Sequence, residues 1–326
     1  MSDLHILSFR DLATRKGGAV TGPLWLRVPQ VDETFDWSAG LNRAGRVSKS
    51  MRSLSPAAVS ELVTGRHVRF VVHGFNVSRD YGFSGAGALA QELAGMGYLP
   101  GDPDNEADLI VPVLWPGDWI LPVINYPFEF RDARETAGQF ARFLYDCFAD
   151  VGAISFVTHS FGVRVVLETV RKVLETEPRF GDSFEAATFM AAADDNKVLD
   201  IAYYRDAVAA FKTINIVASA SDRVLRYAFP AGDAVEAALW RNQRTFQRAL
   251  GLLGPAFEAD SLAAAKTRTY KSPKTPRGRH DHGDYLPYRG DREKEDENGW
   301  SPQRREILSL LRALSTTRPD VDTWLK

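Results

Sequence analysis

Short apolar runs recur along the chain, with little of the apolar–polar alternation that half-exposed strands show. Strands that are covered by helices on both faces lose this alternation, as in parallel sheets. The five clearest runs are Val68–Val72, Leu109–Leu114, Ile154–Thr158, Ala186–Ala192 and Ile214–Ser219. Weaker candidate strands are Leu4–Phe9, Leu24–Val28 and Lys266–Tyr270. The pattern therefore predicts a mostly parallel sheet.

Between these runs, apolar residues follow the spacing of buried helices. The helical segments are Gly85–Gly95, Asp132–Ala149, Val163–Glu177 and Leu199–Ala210. Strands that alternate with helices are typical of a doubly wound α/β sheet with helices on both faces. A chain of 326 residues with 44% hydrophobic content can bury a sizeable core, and we expect one domain over residues 1–326.

Two later segments depart from this rhythm. Ala231–Leu262 carries broad apolar faces after the fifth clear run, which predicts either a helical cap inserted over a site or helices packed against the sheet. Residues 270–299 are rich in proline, glycine and charge, and we expect a long exposed loop there. Ser301 and Pro302 then provide a helix cap and a first-turn proline, which predicts a last helix.

Composition narrows the classes of function. Forty basic and forty-two acidic side chains give a net charge of −2, which provides no electrostatic basis for a nucleic-acid partner. The one cysteine, Cys147, lies in an apolar helical pattern and cannot form an internal disulfide. The sequence shows neither a secretory signal nor an apolar run long enough to span a membrane, so we expect a cytoplasmic protein.

Residues 154–162, Ile-Ser-Phe-Val-Thr-His-Ser-Phe-Gly, place Ser160 between a predicted strand and a predicted helix. A serine in such a sharp turn stands clear of the sheet, and the N–H groups that follow it point at whatever is attacked. The segment resembles the nucleophile elbow of the α/β-hydrolase superfamily, G-x-S-x-G, with Thr158 in place of the first glycine. The alternative is an ordinary turn with a solvent-facing serine.

A serine nucleophile needs a base, and the base needs an orienting carboxylate. In the superfamily that the segment resembles, the acid and then the histidine follow the serine along the chain. Asp222 follows the strand that ends near Ser219 and is the predicted acid. Asp194 and Asp195, at the end of the preceding strand, are reserve candidates.

Only two histidines follow the predicted acid, His280 and His282. His282 precedes glycine and a nearby aromatic residue, a setting that looks like that of the base in related hydrolases, and it is the predicted base. The His-Asp-His cluster also admits a metal site, although the sequence places no third ligand. A further alternative is a pair of solvated loop histidines. We expect neither a cofactor nor a metal.

The residues His73-Gly74-Phe75-Asn76 end the first clear strand and resemble the H-G-x motif that builds half of an oxyanion hole. The resemblance assigns the two oxyanion donors to the backbone N–H groups of Phe75 and Phe161, and a loop-fixing role to His73. A generic turn at the strand end is the alternative. Together with Trp115-Pro116, these motifs resemble a bacterial α/β-hydrolase group that is catalogued only as a domain of unknown function, over about Val68 to Leu286.

The sequence thus predicts a serine hydrolase that cleaves a small-molecule carboxylic ester through an acyl-enzyme. Lipase, thioesterase, amidase and peptidase chemistry use the same constellation. Trp115, Trp119 and Asn76 are candidate substrate-binding residues, because an aromatic-rich loop follows the strand that ends at Leu114. The competing hypothesis is a disabled scaffold that binds a small ligand or a protein.

Overall fold

The computed structural model describes residues 2–10, 19–31, 52–75, 77, 82, 85, 89, 93, 108–117, 122–230, 248–272, 280–286 and 301–314. Over these residues it contains a nine-stranded sheet. The strands are β1 (Ser2–Arg10), β2 (Ala19–Val31), β3 (Arg52–Ser53), β4 (His67–Val72), β5 (Asp108–Leu114), β6 (Ala153–His159), β7 (Phe184–Met190), β8 (Thr213–Ala218) and β9 (Thr267–Lys271).

The strand order is β3-β2-β1-β5-β4-β6-β7-β8-β9. From β1 to β9 every neighbouring pair is parallel, whereas β2 is antiparallel to both β1 and β3. All five clear runs and the three weaker ones are strands. The prediction of a mostly parallel doubly wound α/β sheet is confirmed, and the antiparallel hairpin at one edge is an addition that the apolar pattern did not contain.

The helices are α1 (Pro56–Val63), α2 (Pro122–Cys147), α3 (Gly162–Thr176), α4 (Arg205–Ala210), α5 (Leu250–Leu253), α6 (Leu262–Lys266) and α7 (Pro302–Leu314). Shorter helical turns cover Pro178–Ser183, Ala202–Tyr204, Val224–Ala228 and His282–Asp284. Of the predicted helix Gly85–Gly95, residues 85, 89 and 93 are described, and all three are helical.

The core is rich in aromatic side chains between the sheet and helix α2. Phe70 of β4 lies edge-on to Phe140 of α2, with ring centroids 5.0 Å apart, and is stacked on Phe156 of β6 at 5.7 Å. Helices α2 and α3 pack against each other along this layer. Burial of so much apolar surface at the central strands holds their carboxyl ends, where the predicted site lies, in a fixed arrangement.

Two predicted segments differ from the structure or lie partly outside its description. Residues 122–130, which we expect to form a loop, are instead helical, because helix α2 begins at Pro122. Proline is well suited to the first helical position, since the backbone N–H that it lacks would have no partner within the helix. In Ala231–Leu262, residues 231–247 lie outside the described residues. Residues 254–260 are not helical: helix α5 ends at Leu253 and is capped by Gly254, whose φ is +87°.

Candidate active site

Ser160 occupies the sharp turn between β6 and α3. Its φ of 53° lies in the left-handed region, which L side chains adopt only under constraint. Its backbone N–H donates to the carbonyl of Met190 at 3.0 Å, and its carbonyl accepts from the N–H of Ala193 at 3.1 Å. These two bonds tie the turn to the end of strand β7 and hold the strained conformation in place.

Glycine at position 162 lets the turn pack closely against the end of β4. A methyl group there would lie 2.9 Å from the carbonyl oxygens of both Val72 and His73. Thr158 itself is accommodated near the end of β6, where its side chain is fully buried. Threonine therefore fits where the elbow pattern has its first glycine.

The structure brings Ser160, His282 and Asp222 together. Nε2 of His282 is 3.0 Å from Oγ of Ser160, and Nδ1 of His282 is 2.8 Å from Oδ2 of Asp222. The three residues lie in segments that follow β6, β8 and β9, so the carboxyl edge of the parallel sheet gathers them. Chemically, this arrangement can take the serine proton onto an imidazole that a carboxylate orients.

Asp222 is fully buried, and its second oxygen is also engaged. Oδ1 accepts from the N–H of Leu225 at 2.9 Å, while Oδ2 faces His282. A buried carboxylate whose two oxygens both have donors is fixed in orientation. The side chain of His282 is 15% exposed, so the imidazole borders solvent while its acid partner does not.

His159 contacts the segment that carries His282. Its Nε2–H donates to the carbonyl of His282 at 2.9 Å, and the two rings lie 4.8 Å apart. Burial, reinforced by the neighbouring charge of His282, places the pKa of His159 well below its ordinary value. The His159 ring is therefore neutral, and its hydrogen bond supports the backbone at residue 282.

His280, the alternative base, lies in a different environment. Its side chain is fully buried, with Nδ1 2.6 Å from Oγ of Ser272 and Nε2 3.0 Å from the carbonyl of Gln303 in α7. Both ring nitrogens thus bond to groups other than Ser160. Burial lowers the pKa of His280, which keeps it neutral.

The reserve acids also bond to groups outside this arrangement. Asp194 receives two hydrogen bonds from the Arg164 guanidinium, at 2.9 and 3.0 Å, and burial raises its pKa against the effect of that cation. Oδ1 of Asp195 accepts from the N–H of Lys197 at 2.9 Å. Among the candidate acids, Asp222 is the one whose carboxylate contacts His282.

The segment that follows β4 packs directly on Ser160. A methyl group at Gly74 would lie 2.7 Å from Cβ of Ser160, so the backbone of this loop touches the turn. Phe75 follows Gly74 in this loop, and Phe161 follows Ser160 at the start of α3. The two predicted oxyanion donors therefore belong to two backbone segments that meet at the serine.

His73 and Trp115 hold this loop in place through three hydrogen bonds. The Nδ1–H of His73 donates to the carbonyl of Gly74 at 2.8 Å, and Nε2 accepts from the backbone N–H of Trp115 at 3.2 Å. The indole N–H of Trp115 returns a bond to the carbonyl of His73 at 2.8 Å. Burial lowers the pKa of His73 to about 3, and the nearby charge of Arg10 acts in the same direction, so the imidazole is neutral.

The three predicted substrate-binding residues have different outcomes. Trp115 is fully buried, with its ring 5.7 Å from that of His73 and 6.3 Å from that of Phe161, so it underlies the loop instead of facing an open cleft. Trp119 and Asn76 lie outside the described residues. The role of Trp115 as a support was not apparent from its sequence position.

In the described part of the chain, no three histidine, cysteine or acidic side chains are grouped so that they could hold a metal ion. No helix among these residues is long and apolar enough to cross a membrane. Cys147 is buried, and this burial, with the nearby charge of Asp146, raises the pKa of its thiol to about 11.

The sheet, its helices and the serine turn between β6 and α3 define an α/β-hydrolase fold. No family model matches the chain, and no curated protein matches it. Among solved structures, the chain is similar to a protein named m3DLH, at 14% identity and a TM-score of 0.43, over 96% of this chain and 97% of that one.

Two further solved structures are similar at comparable levels. One is a dienelactone hydrolase-like promiscuous phosphotriesterase from metagenomic libraries, at 12% identity, TM-score 0.39, and 95% and 97% coverage of this chain and that one. The other is an esterase from Pyrobaculum calidifontis, at 11% identity, TM-score 0.37, and 96% and 84% coverage. These similarities concern the fold.

Proposed function

We propose that this protein is a serine hydrolase that cleaves carboxylic esters through an acyl-enzyme intermediate. The observation that carries the proposal is the unbroken hydrogen-bonded chain from Ser160 through His282 to the buried Asp222. A serine hydroxyl is a weak nucleophile until a positioned base accepts its proton. The strained backbone of Ser160 supports the same proposal, since strain of this kind persists where a site requires it.

In the proposed reaction, Oγ of Ser160 attacks the ester carbonyl while its proton passes to Nε2 of His282. Asp222 accepts the Nδ1–H bond and stabilises the imidazolium that forms. The N–H groups of Phe75 and Phe161 stabilise the negative charge on the carbonyl oxygen. Collapse of the tetrahedral intermediate breaks the bond to the alcohol oxygen, which takes the proton from His282 and leaves.

Deacylation repeats these steps with water. His282 removes a proton from water as the water attacks the acyl carbonyl, and then returns a proton to Oγ of Ser160 as the acid product leaves. The reaction consumes one ester and one water and yields one alcohol and one acid. Each proton transfer uses the same nitrogen, Nε2, which faces Ser160 at 3.0 Å.

The test compares hydrolysis of p-nitrophenyl butyrate by the wild-type protein and by Ser160→Ala. We expect turnover to fall by roughly 10⁴- to 10⁶-fold, as in other triads. A fluorophosphonate probe should label the wild type and leave Ser160→Ala unlabelled. Equal activity of the two proteins would reject the proposal, and a wild type that neither labels nor turns over would indicate a binding module. A panel of esters, thioesters and amides then ranks the substrates.

A further inference from the structure

The segment after β8 that carries Asp222 is called the acid loop here, and the segment after β9 that carries His282 is called the base loop. A second pair of residues, directly beside Asp222 and His282, joins these two loops. Arg223 follows Asp222, and Asp281 precedes His282. Nε of Arg223 donates to Oδ2 of Asp281 at 2.5 Å, and the backbone N–H of Arg223 donates to Oδ1 at 2.9 Å. Two adjacent residues of one loop thus face two adjacent residues of the other.

Asp281 also holds the backbone of the histidine itself. Its Oδ1 accepts from the N–H of His282 at 2.9 Å, in addition to the N–H of Arg223. Oδ2 of Asp284 in turn accepts from the N–H of Asp281 at 2.7 Å, which closes a reciprocal cap on the turn His282–Asp284. One carboxylate therefore binds the backbone of both loops and the side chain of Arg223.

The charged groups around Asp281 favour its ionised form. Partial burial alone would raise the pKa of this carboxyl, but the N–H groups of Arg223 and His282 and the Arg223 guanidinium together hold the pKa below its ordinary value. The arginine side chain is 79% exposed and the aspartate side chain 28%. An ion pair this exposed contributes little to global stability, because water screens it.

The effect of Asp281 on the alignment of His282 is larger than the effect of the ion pair on global stability. The imidazole of His282 must meet Ser160 at one nitrogen and Asp222 at the other, and both contacts depend on where the backbone of residue 282 lies. Displacing a reacting group by about 1 Å can cost about 10²-fold in rate. A bond at the N–H of His282 therefore controls both distances at once.

We propose that Asp281 is a positioning residue, which with Arg223 sets the base loop against the acid loop so that His282 reaches both Ser160 and Asp222. The inference rests on the proposed function. It predicts a graded response, because the contacts of Asp281 can be removed in parts. Arg223→Ala and Asp281→Asn each remove the guanidinium–carboxylate contact but keep an oxygen for the two backbone N–H groups. Asp281→Ala removes all of them.

The experiment measures kcat and KM for p-nitrophenyl butyrate in these variants, together with the rate of fluorophosphonate labelling. We expect Arg223→Ala and Asp281→Asn to lower kcat by a similar factor, about 5- to 10-fold, and Asp281→Ala by about 10²-fold, with KM unchanged. Labelling of Ser160 should slow in parallel with kcat. The double variant Arg223→Ala/Asp281→Asn should match either single variant, since both remove one contact.

A matched control is Glu185→Ala, which breaks the surface ion pair of Glu185 with Lys212, 2.6 Å apart and remote from the serine turn. It should leave kcat unchanged. Dividing kcat by the number of labelled sites separates misalignment from loss of folded protein. If Asp281→Ala does not fold, Arg223→Ala and Asp281→Asn still test whether Asp281 positions His282.

Wild-type kcat in Arg223→Ala and Asp281→Asn would overturn the inference, as would losses that multiply in the double variant. Either result alongside an active, labelled wild type would leave the serine hydrolase proposal standing. An unlabelled wild type would instead mean failure of the proposed function itself.

Discussion

Gly74 packs against Ser160 so closely that a methyl group at residue 74 would lie 2.7 Å from Cβ of the serine. Such a methyl group would also lie 3.1 Å from both Nδ1 and the carbonyl oxygen of His159. Carbon atoms in proteins do not approach to 2.7 Å, so either the loop or the serine turn would have to move. The loop after β4 and the turn after β6 are thus fitted to each other at this one contact.

Gly74→Ala should therefore cost activity more than stability. Separation of the two segments would move the N–H of Phe75 away from the position proposed for the oxyanion, and loss of one such donor costs about 10²- to 10³-fold in kcat. Steady-state hydrolysis of p-nitrophenyl butyrate measures the effect. Gly22→Ala is the control, because a methyl group at Gly22 meets nothing within 4 Å. Full activity of Gly74→Ala would contradict the fit described above.

Two substitutions of Ser160 should differ in stability although both remove the hydroxyl. Alanine must still adopt the φ of 53°, whereas glycine adopts it without strain. We expect Ser160→Gly to exceed Ser160→Ala by about 1 kcal/mol in the free energy of unfolding. Urea denaturation of the two variants measures this difference directly. Equal midpoints would mean that the turn does not store backbone strain.

Thr158→Val should stabilise the protein. Thr158 is fully buried, and its Oγ1 has no hydrogen-bond partner among the described residues. Valine has nearly the same shape without the hydroxyl, so the desolvation cost of that group disappears, a gain of about 1 kcal/mol. Thermal and urea unfolding provide the test. A loss of stability would show that the hydroxyl has a partner.

Trp115→Phe should impair turnover while the core remains packed. Phenylalanine keeps an aromatic ring near His73 and Phe161 but lacks the indole N–H that donates to the carbonyl of His73 at 2.8 Å. Loss of one buried hydrogen bond is worth about 1.4 kcal/mol, or about tenfold if the loss falls on the transition state. We expect kcat to fall and KM to stay constant. A rise in KM alone would instead assign Trp115 to substrate binding.

A partly buried histidine, His67, and a fully buried one, His73, should make the protein acid-sensitive. Burial, followed by the charges of Arg69 and Lys212, lowers the pKa of His67 to about 3, and burial lowers that of His73 to a similar value. In the unfolded chain both rings take up a proton as the pH falls below about 6.5, whereas in the folded protein they stay neutral until the pH approaches 3. The unfolded state therefore binds more protons below about pH 6.5. Stability should therefore decline as the pH falls from about 6.5 towards 3.

Each such histidine contributes at most about 1.4 kcal/mol per pH unit to this decline. His67→Gln removes one proton-binding ring while keeping an amide to face Oγ of Ser155, which lies 2.8 Å from Nε2 of His67. Its unfolding free energy should vary less steeply with pH than that of the wild type. Urea titrations at several pH values between 5 and 7.5 compare the slopes. Identical slopes would mean that His67 protonates equally in both states.

The sheet could be predicted from the sequence because its strands are short apolar runs between helical segments, a pattern set by burial on both faces. The edge hairpin of β1 and β2 was less evident. These strands pair over thirteen residues of β2, whereas the apolar pattern marks only Leu24–Val28. The start of α2 was missed as well, because aromatic residues near Trp115 resembled a cleft-lining loop.

The site was predictable as far as chain order allowed. The strand–turn–helix motif pointed to Ser160, chain order pointed to Asp222 and two histidines, and the residues around His282 favoured it as the base. None of these signals could show that His280 lies between Ser272 and Gln303. That distinction depends on which ring is buried. The bond from Arg223 to Asp281 and the support from His159 likewise depend on loop conformations that leave no periodic pattern in the sequence.

Ser160 and His282 are 122 positions apart in the chain, and Asp222 and His282 are 60 apart. Neither contact can exist until strands β6, β8 and β9 have joined the same sheet. Reactivity towards an ester is then a late event in refolding, and it should lag behind the return of helical circular dichroism after dilution from denaturant. Under the proposed function, catalysis would thus serve as a reporter of complete assembly, since a partly folded chain lacks the contacts that activate Ser160.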